Sequence, residues 1–329
     1  MHKKILLILP YFGKFPNYFN LFLQSVRNNP GVTLLIFTDQ QIDSDGNIMV
    51  NRMTWERFIE FVQSKFEYPV NLHAPYKICD LRPSFGHIFD DYIQEYDYWG
   101  HCDCDLIFGD MRLLNPMLDY GYDRIGMWGH LILYRNSIEV NNWFHQLDVP
   151  KGTPLFHEAV AMSKSMFYDE FGGMNKIADY NEVNQCTERL FDDINFRARN
   201  FYSKRPGNGI DMVSHRTPMI FEYDNGHLYR HYCIKRKWRR DESLYCHLQK
   251  RKMAVDDGID AGKYFIVPNR FVCRGSSPAP TEPEMRSMSA VPLIDLKYLK
   301  AVWGFNAIVF MSKTRKRIKR IFGVKGYCK

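Results

Sequence analysis

No stretch of this 329-residue chain approaches the roughly 20 consecutive apolar residues that a membrane-spanning helix needs. The longest candidate runs only from Ala301 to Met311. The apolar run at the start, Ile5 to Leu9, is too short for a signal-peptide core and has no small-residue cleavage site after it, so it reads as a first β-strand. Cys-x-x-Cys is absent too. The eight cysteines fall at irregular positions (79, 102, 104, 186, 233, 246, 273 and 328), which predicts reduced thiols, not a disulfide framework. Neither a Gly-x-Gly-x-x-Gly fingerprint nor a Walker loop occurs, which argues against a dinucleotide oxidoreductase and a P-loop NTPase. Internal repeats are missing as well. The body also has little net charge: the formal +7 of the whole chain arises in residues 313–329, which carry eight Lys or Arg and no acid, leaving the rest at −1. A nucleic-acid partner is therefore not expected. Lys235-Arg236-Lys237-Trp238-Arg239-Arg240 is the one segment that interleaves basic and aromatic groups.

What is present is a globular composition with one conspicuous string, Tyr98-Trp99-Gly100-His101-Cys102-Asp103-Cys104-Asp105-Leu106-Ile107-Phe108. In an extended segment side chains alternate, so Asp103 and Asp105 share one side and Cys102 and Cys104 the other. Two carboxylates on one side, at the end of an apolar run, suit Mg²⁺ or Mn²⁺, ions that keep positions open for phosphate oxygens. The competing reading is a zinc cluster of His101, Cys102 and Cys104. It lacks a closely spaced second ligand pair, Cys246 with His247 being the only other one nearby.

Ahead of that string, strand-like and helix-like patterns alternate. Ile5–Leu9 is followed by a helical segment from Pro16 to Asn28 (Phe19, Phe22, Leu23, Val26), a buried strand from Val32 to Thr38 and a helix from Trp55 to Phe66. After Pro83, residues Phe85, Ile88, Phe89, Tyr92, Ile93 and Tyr96 recur at helical spacing. The order predicts an α/β fold with a mostly parallel sheet, whose ligands gather beyond the carboxyl ends of the strands. Pro10-Tyr11-Phe12-Gly13, Thr38-Asp39 and the Asp103/Asp105 turn are then the candidate binding positions. Further on, a strand pair is predicted from Tyr122 to Arg135, helix from about Pro154 to Asn200, and strands from Ile220 to Leu248 with a turn at Asp224-Asn225-Gly226. Ser276 to Pro292 reads as a linker.

Three features together, the strand ending in Pro10-Tyr11-Phe12-Gly13, the string Tyr76-Lys77-Ile78-Cys79-Asp80-Leu81-Arg82-Pro83 and Asp103-x-Asp105, resemble bacterial capsule and lipopolysaccharide glycosyltransferases of the GT-A fold. The resemblance covers roughly residues 1–250. It implies a Rossmann-type mixed sheet flanked by helices, in a catalytic domain over 1–272 whose halves, 1–110 and 111–272, bind donor and acceptor. A linker over 273–292 and a basic amphipathic tail over 293–329 would follow. The donor would be a nucleotide diphosphate sugar, a UDP-sugar first. The acceptor would be a surface glycan or its lipid-linked precursor, and the cofactor Mn²⁺ or Mg²⁺. Asp103 would lie near ribose and metal, Asp105 and a late His247 would bind the metal, and Lys77 and Asp80 would contact the donor. Arg82, one residue earlier than related patterns place their arginine, would stand beside them. Trp128, Gly129 and His130 look like the acceptor side.

The general base stays open among Glu158, Asp169, Glu170, Asp192 and Asp193, as does the stereochemical course. A HAD-like phosphatase also uses Asp-x-Asp after a strand, but normally on its first strand, which here ends in Pro10. A non-catalytic glycan-binding protein is the third reading. The tail pairs apolar contact in 301–311 with Arg315-Lys316-Arg317-Ile318-Lys319-Arg320-Ile321-Phe322, which predicts an enzyme held at the anionic inner face of the plasma membrane from the cytoplasm.

Overall fold

The computed structural model describes residues 3–194, 201, 219–234, 236–249, 251–274 and 280–290. It is a mixed α/β structure with three sheets. The largest has the strand order β3-β2-β1-β4-β7-β6-β8, formed by β1 (Ile5–Pro10), β2 (Val32–Thr38), β3 (Ile48–Arg52), β4 (Tyr98–Cys102), β6 (Arg124–Trp128), β7 (Leu131–Arg135) and β8 (Gln185–Cys186). The first four are parallel, and β7 runs antiparallel to both neighbours.

The unbroken apolar run of β1 follows from burial on both faces. Ile5, Leu7 and Leu9 face helix α1 (Phe19–Arg27), whereas Leu6 and Ile8 face helix α2 (Trp55–Gln63) and the segment from Phe85 to Ile93. Gly100, in the middle of β4, has a packing reason: a Cβ there would stand 2.3 Å from the carbonyl oxygen of Ile132 on β7.

A three-stranded sheet, β5-β13-β9, consists of β5 (Leu106–Phe108), β13 (Tyr245–His247) and β9 (Asp192–Asp193). The third contains β10 (Met219–Asp224), β11 (His227–Ile234), β12 (Lys237–Glu242), β14 (Ala254–Val255), β15 (Lys263–Val267) and β16 (Arg270–Cys273). The predicted Asp224-Asn225-Gly226 turn is its β10–β11 hairpin; Asn225 and Gly226 both have positive φ, as a two-residue hairpin requires. Helix α1 joins the layers. Phe19, Phe22, Leu23 and Val26 pack on the large sheet, and Leu21, with Tyr18 just before the helix, on the third.

Three expectations are corrected, and the competing zinc reading is set aside. The apolar stripe after Pro83 is carried by two short helices, Phe85–Ile88 and Asp90–Ile93, not one; Phe89 between them leaves helical geometry (φ −110, ψ 31). Asp90 accepts a hydrogen bond from the Asp91 amide and pairs with Lys65, which begins the second piece anew. Residues 154–194 hold the helices Phe156–Ala161 and Met174–Tyr180 separated by a long turn, then β8 and β9. Within the segment read as a linker lies the helix Glu282–Ser289, capped by Thr281, with Met285 buried against Ile220, Phe265 and Val267. Finally, the zinc cluster is excluded by alternation. Cys102 and Cys104 lie in the apolar layer beneath α1, while the His101 ring sits beside Phe85, which belongs to the opposite layer. The basic tail lies outside the described residues. Among the described residues, no helix is long and apolar enough to cross a membrane.

Candidate functional site

Strand order reverses at β1, which has β2 on one side and β4 on the other, so a crevice opens beyond their carboxyl ends. β4 ends at Cys102, and Asp103-Cys104-Asp105 makes the turn into β5. The Asp103 amide donates to the carbonyl of His130 (3.0 Å), and the Leu248 amide to that of Asp105 (3.0 Å). These two backbone bonds hold the turn between the large sheet and the strand that carries His247. Three elements distant in sequence meet there.

Nε2 of His247 is 3.4 Å from Asp105 Oδ1 and 3.9 Å from Asp103 Oδ2. One ligand atom from each of the three residues falls within 4.8 Å of the others, a compact O, O, N set. Hard carboxylate oxygens with one imidazole suit Mn²⁺, with Mg²⁺ served chiefly by the oxygens. The other imidazole nitrogen, Nδ1, faces Asp193 Oδ1 at 2.9 Å, and Gln249 donates to that same carboxylate oxygen. This is the carboxylate–histidine arrangement that fixes a metal-binding ring in one orientation. Burial by itself would lower the His247 pKa. The charge of Asp105, hydrogen bonds with Asp105 and Asp193, and the charge of Asp103 outweigh it and raise the pKa to about 10.

Asp103 is oriented from its other side by Arg82, which bridges Asp103 and Asp169 (Nη1 to Oδ2, 2.9 Å) and donates to the Gly129 carbonyl at 2.6 Å. Burial, only partly offset by Arg82, holds the Asp169 carboxyl at about 7. Glu170 accepts from the Gly129 amide at 2.7 Å. Gly129 has to be small: a Cβ would meet Asp169 and Glu170 oxygens at 2.7 and 2.9 Å. The strand leading to it carries a bulge between Ile125 and Trp128, where Gly126 takes φ +93, and bulges next to sites re-aim the residues that follow.

The remaining predicted residues sort by surroundings. Tyr11 lies at this crevice, its phenol raised to about 12 by burial and then by nearby Cys104 and Asp105. The Gly13 amide donates to Asp39 (3.2 Å), tying the ends of β1 and β2. Phe12 is core, against Trp55 and Phe58, and Thr38 is fully buried. His130 stands behind the metal candidates: it is buried, its Nδ1 is 2.9 Å from the Tyr245 hydroxyl, and its ring packs at a tilt against His247, with centroids 4.4 Å apart. Lys77 and Asp80 are placed differently from a donor contact. Lys77 is 2% exposed, and its ammonium donates to Asp80 (2.7 Å), the Ala159 carbonyl (2.7 Å) and the Lys164 carbonyl (3.1 Å). With three protons so engaged, none is left for a phosphate.

Among the base candidates, Glu158 caps its helix through the Leu155 amide, Asp192 pairs with Arg230, and Asp193 serves His247. Asp169 and Glu170 are the two that border the crevice. Sequence reasoning missed the role of Asp193 as an orienting group, and also Tyr18, a buried tyrosine whose pKa is raised by burial and then by Asp105. The only signal for Asp193 was its membership in an acidic pair.

The chain belongs to a family of unknown function (DUF6625), which matches residues 7–274. No curated protein matches it.

Proposed function

We propose that this member of the family is a metal-dependent glycosyltransferase of the GT-A type. It would move a sugar from a nucleotide diphosphate donor, a UDP-sugar first, to a surface glycan or its lipid-linked precursor. The observation that carries this reading is the convergence of Asp103, Asp105 and His247, with Asp193 behind the imidazole, at the point where strand order reverses. The mixed sheet with its single antiparallel β7, and the small sheet that supplies both β5 and His247, support the same reading.

In this mechanism Asp105, His247 and Asp103 would hold the ion, and bound Mn²⁺ or Mg²⁺ would supply Lewis-acid neutralisation of a departing diphosphate. Arg82 keeps Asp103 aimed at the crevice. Tyr11 presents its ring beside the carboxyl end of β1, where the nucleoside would lie. Asp169 and Glu170 stand on the acceptor side, and a carboxyl titrating near neutrality is matched to accepting a proton from an attacking hydroxyl. The basic tail holds the enzyme at an anionic inner membrane surface, on the cytoplasmic side.

Thermal melting with Mn²⁺ and UDP, then with a panel of sugar nucleotides, tests the proposal. At ligand a hundredfold above Kd, stabilisation of about 2.7 kcal/mol corresponds to a rise of several degrees, on the order of 4 °C or more. The shift should require the metal and vanish in Asp105→Ala. Absence of any metal-dependent shift with every nucleotide would sink the reading.

A further inference from the structure

The turn at 166–173 is held by hydrogen bonds both from beneath and within itself. Asp80, buried beneath it, accepts the amides of Met166 (2.9 Å) and Tyr168 (2.9 Å). Lys77 grips the carbonyls of Ala159 and Lys164 just before it. The turn also closes on itself, through Glu170 N to Phe167 O (3.0 Å), Gly172 N to Phe167 O (3.1 Å) and Met174 N to Tyr168 O (2.7 Å). Closure is so tight that a Cβ at Gly172 would stand 1.7 Å from the Met166 carbonyl oxygen.

Within this frame Phe167 is held at φ +54, a left-handed conformation that is strained for a bulky residue. The residue is nevertheless 48% exposed, so core packing does not compensate the strain. Strain kept at an exposed aromatic points to a task for that ring. The ring meets Tyr76 edge-on, with centroids 6.2 Å apart; Tyr76 is itself 56% exposed and within electrostatic reach of Asp103, Asp169 and Arg82. At the other end of the turn, Phe171 packs on Trp128 (5.3 Å). Asp169 and Glu170 lie between the two aromatic pairs.

We propose that this turn is the platform for the acceptor sugar, with one apolar face of a neutral pyranose lying on the Phe167 ring, its edge against Tyr76, whose ring stands nearly perpendicular, and its hydroxyls directed to Glu170. The assignment rests on the transferase reading and adds the acceptor's chemistry to it. Aromatic rings give apolar contact area at fixed geometry, and a few convergent polar groups give orientation. Carboxylates at the centre disfavour a phosphate or an anionic lipid headgroup. They also interrupt the apolar surface that an acyl chain would need. A neutral ring with polar edges fits both features.

Saturation-transfer NMR on the full chain, with Mn²⁺ and UDP present, tests the platform using the methyl glycosides of glucose, galactose, mannose and N-acetylglucosamine. At least one should bind. Phe167→Asn keeps the turn, because asparagine tolerates positive φ, and should weaken that binding about two- to tenfold, in line with the ~0.5–1.5 kcal/mol of an aromatic contact. Tyr76→Ala should weaken it similarly, whereas Tyr180→Ala, which removes an exposed ring outside the turn, should not. Phe167→Asn should melt no lower than the parent and retain its Mn²⁺/UDP shift. Glycoside binding indifferent to Phe167→Asn, or no glycoside binding in a protein that responds to Mn²⁺/UDP, overturns the platform alone. Phe167-dependent glycoside binding without any Mn²⁺/nucleotide response keeps the sugar platform and overturns the transferase reading.

Discussion

His247 presents a different carboxylate to each ring nitrogen, and the two can be separated by mutation. Asp193 faces Nδ1, the nitrogen turned away from Asp103 and Asp105, so Asp193→Ala should leave the ligand set in place but free the imidazole to turn. Loss of such a supporting carboxylate costs roughly 10–100-fold in metal affinity, which isothermal titration with Mn²⁺ would measure. An unchanged affinity would show that the ring is oriented by packing against His130 instead. The raised pKa of His247 has a sign that can be worked out. Its ordinary value is 6.5, and the fold raises it to about 10, so the native state binds this proton more tightly than the unfolded chain. The stability it contributes to the metal-free protein is fully present below about pH 6.5 and is lost as the pH rises through about 10. Melting curves in EDTA should fall across that window, and His247→Gln should flatten the fall. Metal must displace the same proton, so Mn²⁺ binding should release protons and tighten as the pH rises.

The Lys77–Asp80 pair acts at the scale of an element. Both partners lie in one 3₁₀ turn, Pro75–Asp80, and together they hold residues 159–168 through backbone groups. Lys77→Ala would leave the fully buried Asp80 carboxylate without its counter-ion, a loss of about 3–5 kcal/mol. Urea unfolding would show the loss, and hydrogen exchange should accelerate at the Met166 and Tyr168 amides while those of β1 keep their relative protection. A merely electrostatic donor role would lower activity without moving either readout. The sequence pattern Lys-x-x-Asp was visible, but its target was not: the carbonyls that engage Lys77 lie more than 80 positions away, with no periodicity to announce them. Element boundaries failed in a similar way around Phe89. Helical spacing of apolar residues records which side faces the core, and that side stayed buried even though the helix is broken in two.

On the scale of the whole molecule, the charge distribution separates a near-neutral body from a basic terminus. Each Lys or Arg near an anionic bilayer contributes about 1 kcal/mol, so the eight basic residues of 313–329 are enough for reversible attachment at moderate salt. The full chain should sediment with vesicles containing phosphatidylserine but not with neutral ones, and deletion of 313–329 should abolish the difference. Equal binding to both vesicle types would remove membrane attachment from the functional picture. Such attachment would bring the proposed transferase to an acceptor confined to the same surface.

What the sequence determined by itself was periodic or local. Ile5–Leu9 and the Leu34–Phe37 stretch of β2 carry continuous apolar runs because both faces of a central parallel strand are buried, and the Asn225-Gly226 turn is dictated by the few residues that accept positive φ. Asp103 and Asp105 stood out because alternation after an apolar strand sends both carboxylates to one side. The resemblance proposed His247 as their companion, but its approach depends on β13 pairing with β5, a contact between segments about 140 positions apart. Tertiary structure alone decided that Asp193 stands behind that ring, that Arg82 links Asp103 to Asp169, and that Lys77 belongs to a buried clamp. The physical reason is that hydrogen bonds and ion pairs depend on distance and direction in space, whereas a single sequence records only order along the chain and the solvent preference of each side chain.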